Sequence, residues 1–107
     1  MATSDDRRSE TRERIITPVL YTLDQKMLLQ NSYDISSHGM SVMCPYQPDI
    51  GSDVRVRFTH PQQGMYMRAD GTVVHVCQNG GGPNNGPMRI GIRFKNVSRP
   101  ALSEMFQ

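Results

Sequence analysis

Asp53-Val54-Arg55-Val56-Arg57-Phe58-Thr59 is the clearest alternation in a chain of 107 residues. Val54, Val56 and Phe58 fall on one side of an extended backbone, and Arg55 and Arg57 fall on the other. A period of two, with one apolar and one charged side, is the pattern of a half-buried antiparallel strand. The pattern returns at Arg89–Phe94, where Ile90, Ile92 and Phe94 alternate with Arg89, Gly91 and Arg93. Val73–Val76 is strongly β in composition.

Further strands are expected outward from these. Ile15–Thr22 is β-branched and aromatic, and Pro18 makes it an edge or an irregular strand. Asp24-Gln25 reads as a turn. Met27–Tyr33 is a second strand, although its Met and Leu residues leave a helix open, and Met40–Cys44 is a third. Pro45–Gly51 is a loop and His60–Gly64 a turn. Met65–Cys77 is long for one strand, so Asp70-Gly71 is either a hairpin turn or a bulge within a single strand. Asn79–Pro87 is a flexible Gly-rich loop. Ser98 caps a short final helix with Pro100 in its first turn and an apolar patch of Leu102, Met105 and Phe106.

This gives five to seven short strands, a terminal helix able to plug one end, and no βαβ unit. The expectation is an all-β antiparallel barrel or sandwich, with closure the common answer to exposed edges. The length fits one domain. Residues 1–14 read as a flexible arginine-rich arm, with no apolar residue between Asp5 and Arg14, and residues 15–107 as the barrel domain.

A formal net charge of +2 is too small to predict bulk binding to nucleic acid or an anionic surface. No run approaches the roughly 18 apolar residues of a spanning helix, so no membrane insertion is expected. The N-terminus shows no apolar signal region. A cytoplasmic protein with Cys44 and Cys77 as reduced, strand-buried thiols is therefore expected. The cysteines lie at no metal-ligand spacing and have no neighbouring base. His38, His60 and His75 are scattered, and His60 and His75 read as structural or solvent-exposed. No base, nucleophile or metal ligands converge, which argues against an enzyme, a metal site or a cofactor. The absence of Trp and the scarcity of aromatics argue against a single-stranded RNA or DNA binder.

Two motifs stand out. Asp34-Ile35-Ser36-Ser37-His38-Gly39 sets an Asp, a Ser and a Gly at D-x-S-x-x-G between two strand-like runs. Such a turn closes by side-chain-to-backbone bonds, with Gly expected at positive φ, and it can present a carboxylate and a hydroxyl to a ligand carrying N–H donors. In the arm, Arg8 and Arg12 form R-x-x-x-R. A guanidinium binds phosphate bidentately, pairs with guanine O6 and N7, and stacks on a base.

Taken together, the two motifs resemble the PilZ domain family, whose hallmarks are R-x-x-x-R followed by [D/N]-x-S-x-x-G. Pro18-Val19-Leu20-Tyr21, Gly71-Thr72-Val73-Val74 and Ile90-Gly91-Ile92-Arg93-Phe94 match further family patterns in the same order, so the resemblance covers about residues 8 to 106. It implies a six-stranded antiparallel β-barrel with a short C-terminal helix, and a non-enzymatic receptor for cyclic di-GMP. By position it implies that Arg8 and Arg12 contact phosphates and guanine faces. Asp34 would accept from guanine N1–H and N2–H2, Ser36 would bond to base or phosphate, and Gly39 would hold the turn. Arg7, His38 and Arg93 are secondary candidates. Ligand binding would order the arm into a surface for a protein partner that the sequence does not identify. The alternative is an interaction adaptor on the same fold that does not depend on the nucleotide.

Overall fold

The computed structural model describes residues 13–78 and 88–98. In chain order the strands are β1 Pro18–Leu23, β2 Lys26–Ile35, β3 Gly39–Cys44, β4 Asp53–His60, β5 Met65–Gln78 and β6 Met88–Ser98. They close into a barrel in the order β1-β2-β3-β6-β5-β4, and every neighbouring pair is antiparallel. Of barrel and sandwich, the chain adopts the barrel. The terminal helix and residues 1–12 of the arm lie outside the described residues.

The alternation read from β4 holds through the sheet. Val54, Val56 and Phe58 are buried with Val19, Tyr21 and Leu23 of β1, Met40, Val42 and Cys44 of β3, and Ile90 and Ile92 of β6. Tyr21 donates from its phenol to the Met43 carbonyl at 2.8 Å, which satisfies its one polar atom inside an apolar barrel. Burial pushes its ionisation well above the ordinary phenol range. The helix left open for Met27–Tyr33 does not form. Along β2, Leu28, Gln30 and Ser32 are more shielded than Met27, Leu29 and Asn31, a period of two rather than 3.6.

Three expectations are sharpened. The first strand starts at Pro18, three residues later than Ile15, because a proline without an N–H fits the first position of a strand. Asp24 and Gln25 close the β1–β2 hairpin with φ of 54° and 64°, the left-handed backbone of a two-residue type I′ turn. Asp70-Gly71 is not a hairpin turn but lies within one continuous strand, and the extra residue at that point belongs to β6: Asp70 pairs with Asn96 and Gly71 with Phe94, leaving Lys95 unpaired. β5 is a single strand of 14 residues whose first half pairs with β4, while register shifts against β6 occur at Asp70/Gly71 and at Val73/His75.

Both cysteines are free thiols on strands, Cys44 buried and Cys77 half-buried. His60 is buried, and its Nδ1 accepts from the backbone N–H groups of Gln62 and Gln63, both at 3.3 Å, so it organises the turn before β5. That is the structural role expected for it.

Candidate functional site

The turn Ser36–His38 joins β2 to β3 and is held by one side chain. Ser36 Oγ accepts from the N–H groups of His38 and Gly39, both at 3.2 Å, and contacts the Gly39 carbonyl at 3.3 Å. The Ser36 N–H donates to the same carbonyl at 2.8 Å. The Phe94 N–H donates to the His38 carbonyl at 2.8 Å, which fastens the turn to β6. Ser37 Oγ lies 3.1 Å from His38 Nδ1. The motif serine is therefore buried in the turn and shapes it, while Ser37 and His38 are exposed.

Gly39 has a different physical role from the one expected of it. Its φ is not positive; among the described glycines only Gly51 and Gly64 have that conformation. Gly39 is the first residue of β3, directly opposite Arg93 of β6. A Cβ there would collide with the Ile92 carbonyl oxygen. Gly71 meets β6 from the other side, where a Cβ would fall 2.5 Å from the Arg93 carbonyl oxygen. Both glycines exist to let backbones approach Ile92-Arg93 closely.

A cleft of about 350 Å³ opens on the outer face here, lined by residues of β2, β3, β5 and β6 and of the motif turn. Of the residues nominated from the sequence, Ser36 lies on the wall of a separate cleft with Glu13 and Ile35, whereas Asp34, His38, Gly39 and Arg93 line this one. Tyr33, His75 and Arg89 join them, and these the sequence did not nominate as ligand contacts. Tyr33 is the extra residue of a bulge: β2 pairs Ser32 with Val42 and then Asp34 with Ser41. Bulges re-aim side chains. The guanidinium carbons of Arg14 and Arg89 lie 4.5 and 4.3 Å from the centre of the Tyr33 ring, within the range of cation–π attraction. His75 lies opposite Gly91, with its ring Cδ2 3.2 Å from where a glycine Cβ would be, so the missing side chain leaves room for the imidazole. With two arginines, two histidines and one aspartate, the cleft suits an anion that also carries N–H donors.

The chain entering the barrel is pinned to the same place. Ser32, a buried residue of β2, accepts from the Thr17 N–H at 3.0 Å and donates to the Ile15 carbonyl at 2.6 Å. Further upstream, Glu13 and Ile35 exchange two backbone hydrogen bonds, each 3.0 Å. Glu13 is thus bonded to the residue that precedes Ser36. Arg7, Arg8 and Arg12 lie outside the described residues, yet Arg12 is covalently next to Glu13.

A PilZ domain family model matches residues 6–107. None of the curated proteins searched matches the chain. Among solved structures, the chain is similar to the inhibitor of motility MotI/DgrA of Bacillus subtilis. The two share 16% identity with a TM-score of 0.69, over 86% of this chain and 44% of that one. At that identity the likeness is one of fold, and this chain spans less than half the length of that structure.

Proposed function

The chain belongs to the PilZ domain family, and on that premise we propose that it is a non-enzymatic receptor for cyclic di-GMP. The observation that carries the reading is the Glu13–Ile35 bridge. Arg12 is covalently next to Glu13, and the backbone of Glu13 is bonded to Ile35 inside D-x-S-x-x-G. Two motifs that sequence separates by more than twenty residues then address one ligand.

The ligand carries two phosphates and two guanines. In this reading Arg8 and Arg12 grip phosphate oxygens and guanine O6 and N7. The Asp34 carboxylate accepts from guanine N1–H and N2–H2, and Ser36 and Gly39 set the turn that aims it. Arg7, His38 and Arg93 add contacts at the rim. Closure of the arm over the nucleotide creates a new surface for a protein partner. No cofactor is required, and the setting is the cytoplasm. No helix among the described residues is long and apolar enough to cross a membrane.

Calorimetric titration with cyclic di-GMP tests the reading. Saturable heat is expected. Arg8→Ala or Arg12→Ala each removes a charge-assisted contact worth about 1.5–3 kcal/mol, roughly ten- to hundredfold in affinity. No heat at high ligand concentration ends the proposal. Partner binding that survives both arginine changes would instead identify a nucleotide-independent adaptor.

A further inference from the structure

The side of the barrel away from the cleft is crossed by two rows of paired residues. In one row Leu29 of β2 faces Leu20 of β1, Leu20 faces Arg57 of β4, Arg57 faces Arg68 of β5, and Arg68 faces Ser98 of β6. In the next row Met27 faces Thr22, Thr22 faces Arg55, Arg55 faces Asp70, and Asp70 faces Asn96. These side chains lie on the outer face, because their strand neighbours Val19, Tyr21, Val56 and Ala69 fill the core.

Each row is apolar at the β2 end and charged at the β4–β5 end. Met27 and Leu29 are 63% and 66% exposed, which for large apolar side chains in adjoining rows marks a patch rather than scatter. Arg55 is neutralised by Asp70 at 2.9 Å, and Lys95 by Asp53 at 3.1 Å. Arg57 and Arg68 sit directly opposite each other, and no ion pair to either is found among the described residues. Like charges in directly opposite positions destabilise a strand pair. The fold gains nothing from this arrangement. A cleft of about 380 Å³ lies at the pair, with Asn96 and Ser98 also on its wall.

We propose that this face docks an acidic segment of a partner protein. The segment's carboxylates sit between Arg57 and Arg68, and its apolar side chains lie on Leu20, Met27 and Leu29. The charge supplied by the partner is the charge the face lacks. The composition favours a protein over other anions: arginine and methionine are enriched at protein interfaces, and neither row holds an aromatic platform on which bases could stack. The face shares no residue with the nucleotide cleft, so the inference stands or falls separately from the receptor reading.

The test uses the full chain and a synthetic peptide of alternating glutamate and leucine, followed by amide chemical shifts. Shifts centred on β1, β4 and β5 are expected. Binding should weaken more than tenfold in an Arg57→Glu, Arg68→Glu double variant, and an Arg57→Gln, Arg68→Gln variant covers the case in which charge reversal harms folding. A lysine–leucine peptide should bind the charge-reversed variant better than it binds the original chain. No binding of the acidic peptide, or binding that ignores these changes, overturns the proposal. So does failure of the peptide while vesicles of phosphatidylcholine with phosphatidylglycerol bind through Arg57 and Arg68. Cyclic di-GMP titration of the same variants should match the original chain, so that loss of one binding event is not mistaken for loss of the other.

Discussion

The two outer faces of this barrel are built by opposite means. The cleft face is irregular, with extra residues at Tyr33 of β2 and Val74 of β5, and with Gly39 bringing β3 close to Ile92-Arg93. The opposite face is regular, with β1, β2 and β4 paired residue by residue in unbroken register. Irregularity makes a concave site and re-aims side chains into it; regularity makes a flat face on which charge and apolar residues sort into rows. The difference teaches that a ligand site on a small barrel costs backbone order, whereas an interaction face needs only the choice of outward residues.

The largest expected effect on this contrast comes from Gly39→Ala. The added Cβ meets a backbone carbonyl that cannot rotate away, so a loss of about 3 kcal/mol is expected, at the upper end for overpacking. Denaturant unfolding reads it. Next is Ser32→Ala, which removes the partner of both the Thr17 N–H and the Ile15 carbonyl. A stability loss of about 2 kcal/mol is expected for polar groups left buried without partners, and because Glu13 follows the same tether, cyclic di-GMP affinity should fall with it.

A pH effect at the β1–β2 hairpin, where Tyr46 meets Leu23 and Asp24, is smaller. Burial, and then the hydrogen bond donated to Asp24 Oδ2 at 3.0 Å, push the Tyr46 phenol from its usual 10.0 up to about 12. The sign follows from the neutral form being favoured in the fold. Stability from this group is fully present below pH 10, where both states are protonated, and is lost progressively as pH rises from 10 through about 12. Thermal midpoints between these values should fall, and Tyr46→Phe should flatten part of the decline. Tyr21, raised by burial, contributes in the same direction.

The smallest effect has the opposite sign. Arg57→Glu turns a like-charge pair across β4 and β5 into an attractive one. It should stabilise the fold by about 0.2–1 kcal/mol while weakening the acidic-peptide interaction. A variant that gains stability and loses binding would sharpen the view that the regular face is kept for a partner.

The strand pattern was legible because alternation survives wherever one side is buried, as in β4 and the Ile90–Phe94 part of β6. The continuity of β5 through Asp70-Gly71 was not, since a strand interior and a hairpin turn can draw on the same Asp-Gly pair and only long-range pairing, with the extra residue Lys95 on β6, separates them. At the site, Asp34, His38, Gly39 and Arg93 were nominated and the fold gathers them. Gly39 was given the wrong reason: the need for a missing Cβ comes from Ile92, more than fifty residues away in the chain. Tyr33, His75 and Arg89 were missed because they belong to no motif. The signal that could have found them is positional, since His75 lies opposite Gly91 of the Ile-Gly-Ile pattern and Tyr33 immediately precedes Asp34. Arg89 shows in the sequence only as a charged residue alternating with Ile90 and Ile92, and its place over the Tyr33 ring is visible only once β2 and β6 share a cleft.

The most direct test of the central claim is an amide chemical-shift titration of the full chain with cyclic di-GMP. The account predicts saturable shifts concentrated at Arg8–Glu13, Tyr33–Gly39 and Arg89–Arg93, abolished together by Arg8→Ala with Arg12→Ala, with Leu20, Arg57 and Arg68 little changed. Shifts absent at saturating nucleotide, or centred on Arg57 and Arg68 instead, would contradict it.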